Sequence, residues 1–249
     1  MGCLEGRVAV VTGAGRSGSI GRAIAVGLAM EGANIVVNDF LCPEDAEATA
    51  QTVREKGVGG HVVLADVSKF SECRRLIDEA VSHFGRLDIL VNNAGAPRRQ
   101  KVSEITEDDW DAILDLFLKG PFFLSQAAAP HLLIHGGGRI INIASEQAYI
   151  GHPLLAHYTA AKAGLRTLTK SLALALAPKI TVNTVCPGPT ASERFMQGPE
   201  YTDEMREQIP LKRWVQPEDV AASVVFLSSP GGNCYTGQAL DPNCGVVMS

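Results

Sequence analysis

No run of basic residues longer than Arg98-Arg99-Gln100-Lys101 interrupts this sequence, and its formal charge is −5 over 249 residues. A nucleic acid or an anionic membrane needs a basic footprint, so neither is expected as a partner. Cysteine is sparse and scattered: positions 3, 42, 73, 186, 234 and 244 form no C-x-x-C pair, and no His or Cys cluster has zinc-ligand spacing. This excludes a metal site and reads as reduced thiols in a cytoplasmic protein. Also missing are a charged-then-apolar leader and an apolar run near ~20 residues, so neither secretion nor membrane spanning is expected. Gly2 follows Met1, but position 6 is Gly rather than Ser or Thr, which removes a myristoylation signal.

What is present is a 46% hydrophobic chain, enough for a sizeable core in one domain spanning residues 1–249. Short β-branched runs at 8–11, 35–38, 61–64, 87–91, 140–144 and 181–186 alternate with helical patterns at 20–31, 44–56, 70–83, 108–133 and 154–177. Thr106 is placed to cap the fourth helix. Alternation of this kind predicts an α/β fold with a single doubly wound parallel sheet. The rhythm breaks at 187–213, where Pro187, Gly188, Pro189, Gly198, Pro199 and Pro210 mark a lid or binding loop. A last helix near 218–227 follows Pro217, and a short strand at 239–240 closes the pattern.

The stretch TGAGRSGSIG at 12–21 lies between the first strand and the first helix. Free N–H groups and the helix dipole gather there, so in a doubly wound fold it is the place for a pyrophosphate. Asp39 ends the second apolar run, where a carboxylate accepts the adenosine ribose hydroxyls and repels a 2′-phosphate. NAD is therefore expected over NADP. Arg16 could offset that preference by meeting the phosphate.

Downstream, Ser145 precedes Tyr158 by 13 residues, and Lys162 comes four further on in YTAAK. Residues i and i+4 share a helix face, so the Lys162 ammonium can lower the Tyr158 phenol toward the operating pH and make it an acid or base. Ser145, at the carboxyl end of a strand, can hydrogen-bond the same substrate oxygen.

Thr12-Gly13 with its helix, Asp66-Val67, NNAG at 92–95, Ser145, YTAAK, PG at 187–188, PEDVA at 217–221 and TGQ at 236–238 together resemble the short-chain dehydrogenase/reductase family, in order across essentially the whole chain. The resemblance implies a Rossmann-like core and hydride transfer between a nicotinamide and a carbonyl or alcohol. It implies Tyr158 as proton donor or acceptor, and Lys162 as the group that lowers its pKa and binds the nicotinamide ribose. Ser145 would orient the substrate oxygen. For the cofactor it implies contacts from Gly13, Ser19 and Ile20 in the turn, Asp66 and Val67 beside the adenine, Asn93, Ala94 and Gly95 along the cleft, and Pro187 with Gly188 against the nicotinamide.

Three departures stand out. The family usually reads T-G-x-x-x-G-x-G, whereas here two extra residues sit in the turn and Ser19 replaces a glycine, as in the turn of enoyl-carrier-protein reductases. Those enzymes reduce carbon–carbon double bonds with a tyrosine seven residues before the lysine, and here that residue is Leu155. A carbonyl or alcohol substrate is the reading that remains. Phe117 replaces an asparagine that in relatives holds a water linking the lysine to solvent. A dinucleotide-binding protein with little turnover therefore stays open, as does a dehydratase or epimerase on the same fold. Finally, LDPNCG replaces a tail that in relatives tends toward Val-Asp-Gly-Gly, which puts the packing of that segment in doubt.

Arg98, Glu146, Gln147, His152, His157, Arg194, Phe195, Met196 and Trp214 are candidates to line a substrate pocket, with Glu146 a candidate contact for a substrate hydroxyl. They point to a small polar substrate: a sugar, polyol, hydroxy acid or 3-oxoacyl compound. The helices at 108–133 and 154–177, with SLALALA at 171–177, are apolar beyond what one sheet face requires. Relatives pair such helices between subunits, which implies a homodimer or homotetramer.

Overall fold

The computed structural model describes residues 2–193, 196 and 201–248. Seven parallel strands form one sheet in the order β3-β2-β1-β4-β5-β6-β7. They are β1 Val8–Val11, β2 Asn34–Asp39, β3 Gly60–Leu64, β4 Ile89–Asn92, β5 Gly138–Ile143, β6 Ile180–Val185 and β7 Ala239–Leu240. Strand order reverses at β1, which pairs with both β2 and β4. In a doubly wound sheet a crevice opens at that point, beyond the carboxyl ends of the strands.

Side chains alternate across the sheet with period two. Ala9, Val11, Ile35, Val37, Ile89 and Val91 face one way and form a core with α1 (Ile20–Met30), α2 (Pro43–Arg54) and Val220 and Val224 of Pro217–Ser228. Val10, Val36, Leu90 and Ile140 face the other way, against α3 (Phe70–Phe84) and the helix Gly120–Ile134. Both faces are covered, so the strands read as continuous Val and Ile runs.

The cap chemistry is local. Ser19 caps α1, its Oγ accepting the Arg22 N–H at 3.2 Å. Thr106 forms a capping box with Asp109 at the start of α4 (Glu107–Leu114). Asp88 is buried before β4 and accepts from the Val8 amide at 2.9 Å and from Arg7 and Arg86, tying β1 to β4.

The expected helix over 108–133 is not uniform. Between α4 and α5 (Gly120–Ile134) the chain makes a π turn at Asp115–Lys119, with Phe117 on it. A π turn inserts one extra residue and rotates the downstream helix relative to a regular continuation. The run Glu107–Ile134 is, among the described residues, the one helix long and apolar enough to cross a membrane, and it packs against α3 and the sheet.

The helix α6 is Ala156–Leu176. Within the irregular stretch the structure adds the short α7 (Asp203–Gln208) and a parallel bridge between Thr190 and Val215, before α8 (Pro217–Ser228). The LDPNCG tail packs against the cleft wall: the Gly188 N–H donates to the Pro242 carbonyl at 3.2 Å and the Tyr149 hydroxyl to Asp241 at 2.9 Å.

Candidate active site

A cleft of about 750 Å³ opens beyond the carboxyl ends of the strands. All fourteen residues expected at the site line it, from Gly13, Ser19 and Ile20 past Asp39, Asp66 and Asn93 to Ser145, Tyr158, Lys162 and Gly188. Two glycines of the turn are required by close approach. Gly13 has φ +64°, and a Cβ there would lie 2.7 Å from the Ala94 Cα; at Gly21 it would lie 2.2 Å from the Gly13 carbonyl. The first N–H groups of α1 have no acceptor within the helix and face the cleft. Ser19 keeps its backbone in this turn while its side chain caps the helix.

The rest of the floor is set by hydrogen bonds. Thr12 Oγ1 accepts the Asn93 and Ala94 amides at 2.9 and 3.0 Å, and the Asn93 side chain donates to the Thr12 carbonyl at 2.8 Å. These bonds clamp NNAG to the glycine turn. Asp39 accepts from the Gly15 amide at 3.1 Å and from the Phe40 amide at 2.8 Å. Asp66 accepts from the Ser68 hydroxyl at 2.7 Å; burial raises its carboxyl, but the Ser68 bonds and Lys69 hold it below the ordinary range.

The turn, with its open N–H groups, its close backbone approach and its terminal carboxylate at Asp39, fits a dinucleotide. Gly13, Ser19 and Ile20 would hold the phosphates, Asp39 the adenosine ribose, and Asp66 with Val67 the adenine.

At the other end Ser145, Tyr158 and Lys162 converge. Ser145 Oγ bonds Glu146 Oε2 at 2.7 Å, accepts the Gln147 amide at 3.2 Å and neighbours the Tyr158 phenol, whose ionisation it favours. Burial, with the nearby Glu146 charge, raises the Tyr158 phenol well above its ordinary value. The Lys162 ammonium donates to the Ile143 carbonyl at 2.6 Å, and burial lowers it to about 7. It lies 4.5 Å from the centre of the Phe117 ring, which meets Tyr158 edge-to-face at 5.1 Å. Phe117 is 2% exposed and also presses on NNAG, where a Cβ on Gly95 would lie 2.5 Å from the ring. Phe117 therefore fills the space beside the lysine with an apolar ring that offers cation–π contact and no hydrogen bond.

Several expected pocket residues sit elsewhere. Arg98 is exposed and ion-paired with Asp109, and Arg99 lines the cleft instead. His157 is fully buried outside the cleft, with neither ring nitrogen hydrogen-bonded. Trp214 packs on Tyr201 in the core under the irregular segment, and Met196 is exposed outside the cleft. Arg194 and Phe195 lie outside the described residues. Glu146, Gln147 and His152 do line the cleft. Tyr201 and Met205 line it too, brought there by α7; a stretch without periodicity carried no signal for them.

The family described as Enoyl-(Acyl carrier protein) reductase matches residues 13–247. The 3-oxoacyl-[acyl-carrier-protein] reductase FabG of Staphylococcus aureus is 43% identical over 242 residues, 96% of this chain and 98% of the relative. The 2-dehydro-3-deoxy-D-gluconate 5-dehydrogenase of Escherichia coli is 38% identical over 95% of this chain and 94% of the relative. Among solved structures, a short-chain dehydrogenase/reductase from Serratia marcescens superposes with TM-score 0.92 at 36% identity over 98% of each chain. A blue fluorescent protein from a metagenomic library, solved in complex with NADPH, superposes with TM-score 0.92 at 33% identity, covering 99% of this chain and 100% of that one.

Proposed function

Because the chain belongs to the short-chain dehydrogenase/reductase family of oxidoreductases, we propose that it moves a hydride between a nicotinamide dinucleotide and the secondary alcohol or ketone of a small polar substrate. The observation that carries this reading is the convergence of Ser145, Tyr158 and Lys162 at one end of a cleft whose other end is a phosphate-binding turn. A bound dinucleotide supplies or accepts the hydride. Tyr158 gives or takes the proton at the substrate oxygen, and Ser145 holds that oxygen by a hydrogen bond. Protonated Lys162 favours the tyrosinate form. Leu155, at the position where a double-bond reductase would carry its tyrosine, offers no acid, which favours carbonyl over alkene chemistry. Phe117 favours slow proton exchange on the lysine side, the one feature pointing toward a dinucleotide-binding protein with low turnover.

Asp39 supports NAD over NADP, since its carboxylate at the end of β2 repels a 2′-phosphate. The structural relative solved with NADPH does not favour that preference, and Arg16 on the cleft wall could meet a 2′-phosphate. Assembly as a homodimer or homotetramer is proposed from the exposed apolar residues Leu133, Ile134 and Leu174 on α5 and α6.

The test combines titration with NADH and NADPH, monitored by nicotinamide fluorescence, with a screen of carbonyl and alcohol substrates. Tighter NADH binding is expected, and Asp39→Ala is expected to erode it; an unaltered NAD to NADP ratio removes Asp39 from that role. Tyr158→Phe should cut turnover by about 10²-fold or more with dinucleotide binding retained. Unchanged turnover would refute the mechanism.

A further inference from the structure

The lysine side of the centre is closed. Lys162 spends one donor on the Ile143 carbonyl at 2.6 Å, and the face of its ammonium toward the helix Glu107–Ile134 is covered by the Phe117 ring at 4.5 Å. An aromatic ring neither donates nor accepts a transferable proton. A proton taken from or given to Tyr158 must reach solvent by another path.

Another ionisable group is joined to Ser145 by a hydrogen bond. Glu146 comes directly after Ser145 in the chain, is 8% exposed and lines the cleft. Its Oε2 lies 2.7 Å from Ser145 Oγ, and its Oε1 accepts the Gln147 side-chain amide at 3.2 Å. Ser145 in turn neighbours the Tyr158 phenol and favours its ionisation. A hydroxyl has one proton and two lone pairs. Ser145 Oγ already accepts from the Gln147 amide at 3.2 Å. If Glu146 is a carboxylate, Ser145 must donate its only proton to it and has none for a substrate oxygen. If Glu146 is a carboxylic acid, its O–H donates to Ser145 Oγ, and the serine proton is available to the substrate oxygen or, after Tyr158 has given up its own, to the tyrosinate. With Oε1 accepting from Gln147, the acid form gives both Glu146 oxygens a partner and leaves the serine proton uncommitted.

We propose that Glu146 is the proton-exchange residue of this centre, feeding Tyr158 through the Ser145 hydroxyl in place of a route past Lys162. This rests on the oxidoreductase reading above. In the reductive direction the Tyr158 Oη–H bond breaks as the substrate O–H bond forms. The tyrosinate oxygen takes the Ser145 proton, Ser145 Oγ takes the Glu146 proton, and a cleft water restores the acid. Together with the hydride from the reduced nicotinamide dinucleotide, one proton from solvent converts C=O to CH–OH. Oxidation runs the same chain backward. Glu146 acts through Ser145 and is a positioning and relay residue, not a substrate contact.

Of the titratable and charged groups nearby, Tyr158 feels the Glu146 charge and also those of Tyr201 and Cys186, while Lys162, His152 and Arg99 line the same cleft. Burial favours the acid form and lifts Glu146 above the ordinary carboxylate range, against the bonds from Ser145 and Gln147. Reduction should therefore be fastest with Glu146 neutral and decline as pH rises through its raised pKa.

Two measurements test this. With NADH and two probe ketones, hydroxyacetone and an acetoacetyl thioester, Glu146→Gln should lower kcat about 10²-fold and erase that ionisation from the pH profile. In protein without dinucleotide, ultraviolet difference titration, with Tyr158→Phe subtracted, should show Tyr158 ionising at lower pH in Glu146→Gln than in the unsubstituted protein. The second readout needs no substrate, so failure of both ketones to react would count against the oxidoreductase reading while leaving Glu146 to be decided by the tyrosinate titration. An unshifted titration, or an unchanged pH profile, overturns the relay. Should Glu146→Gln not fold, infrared spectra of the unsubstituted protein decide: a carboxylic acid band that persists above the pH at which an ordinary carboxyl ionises, and vanishes as pH rises further, is expected, and its absence overturns the proposal.

Discussion

Burial brings the Lys162 ammonium down to about 7 from its ordinary 10.5, and the consequence for folding has a definite sign. Between those values the unfolded chain holds a proton that the folded chain has released. Stability in the dinucleotide-free protein should therefore rise as pH increases from 7 toward 10, with the full penalty of the buried charge present below 7. Lys162→Met should remove that slope and gain on the order of 2 kcal/mol at pH 6, measured by urea unfolding across the range. A parent protein whose stability is flat over this window would contradict the burial of the amine. Tyr158 and Lys162 were legible in the sequence because i,i+4 spacing fixes a shared helix face. That Phe117 lies over the lysine was not legible. Its identity was plain, but its contact depends on the π turn, and no local pattern announces a single extra residue in a helix.

In the glycine turn the sequence reads two extra residues with Ser19 in the place of a glycine, and the contacts of the turn agree with that register. The glycine pressed against the Gly13 carbonyl is Gly21, one residue into α1. Gly21→Ala should push that carbonyl and the turn outward and weaken dinucleotide binding about 10-fold or more, with helix propensity itself improved. Fluorescence titration with NADH reads the loss; unchanged affinity would mean that the turn tolerates the shift. Strands and helices were legible almost throughout because apolar period and β-branched content repeat in every unit. The segment at 187–213 was not, since α7 and the Thr190–Val215 bridge depend on contacts with distant residues rather than on period. For the same reason Arg98 and Trp214 were misplaced as pocket residues: adjacency to a motif says nothing about direction.

Over the whole molecule, the apolar excess of α5 and α6 has a visible outlet. Leu174 is 84% exposed and Ile134 69% exposed, on helices whose inner faces are already filled. Leu174→Glu combined with Ile134→Glu should convert an assembled protein to a smaller species in sedimentation velocity while leaving its far-ultraviolet spectrum intact. A single sedimenting species of unchanged size would place any subunit contact elsewhere. The central position of β1 has another consequence, in time rather than space. Its second neighbour, β4, ends at Asn92, about 80 residues after β1 ends at Val11. At ribosomal rates of about 5–20 residues per second, one edge of β1 and the Val8 amide that Asp88 later receives wait about 4–16 s for their partners. During that interval α1 and α2 can cover one face of β1 and β2 and α3 part of the other, while α5 is still to come. The first third of the chain is thus born with one edge of its central strand unpaired and open to pairing with another chain.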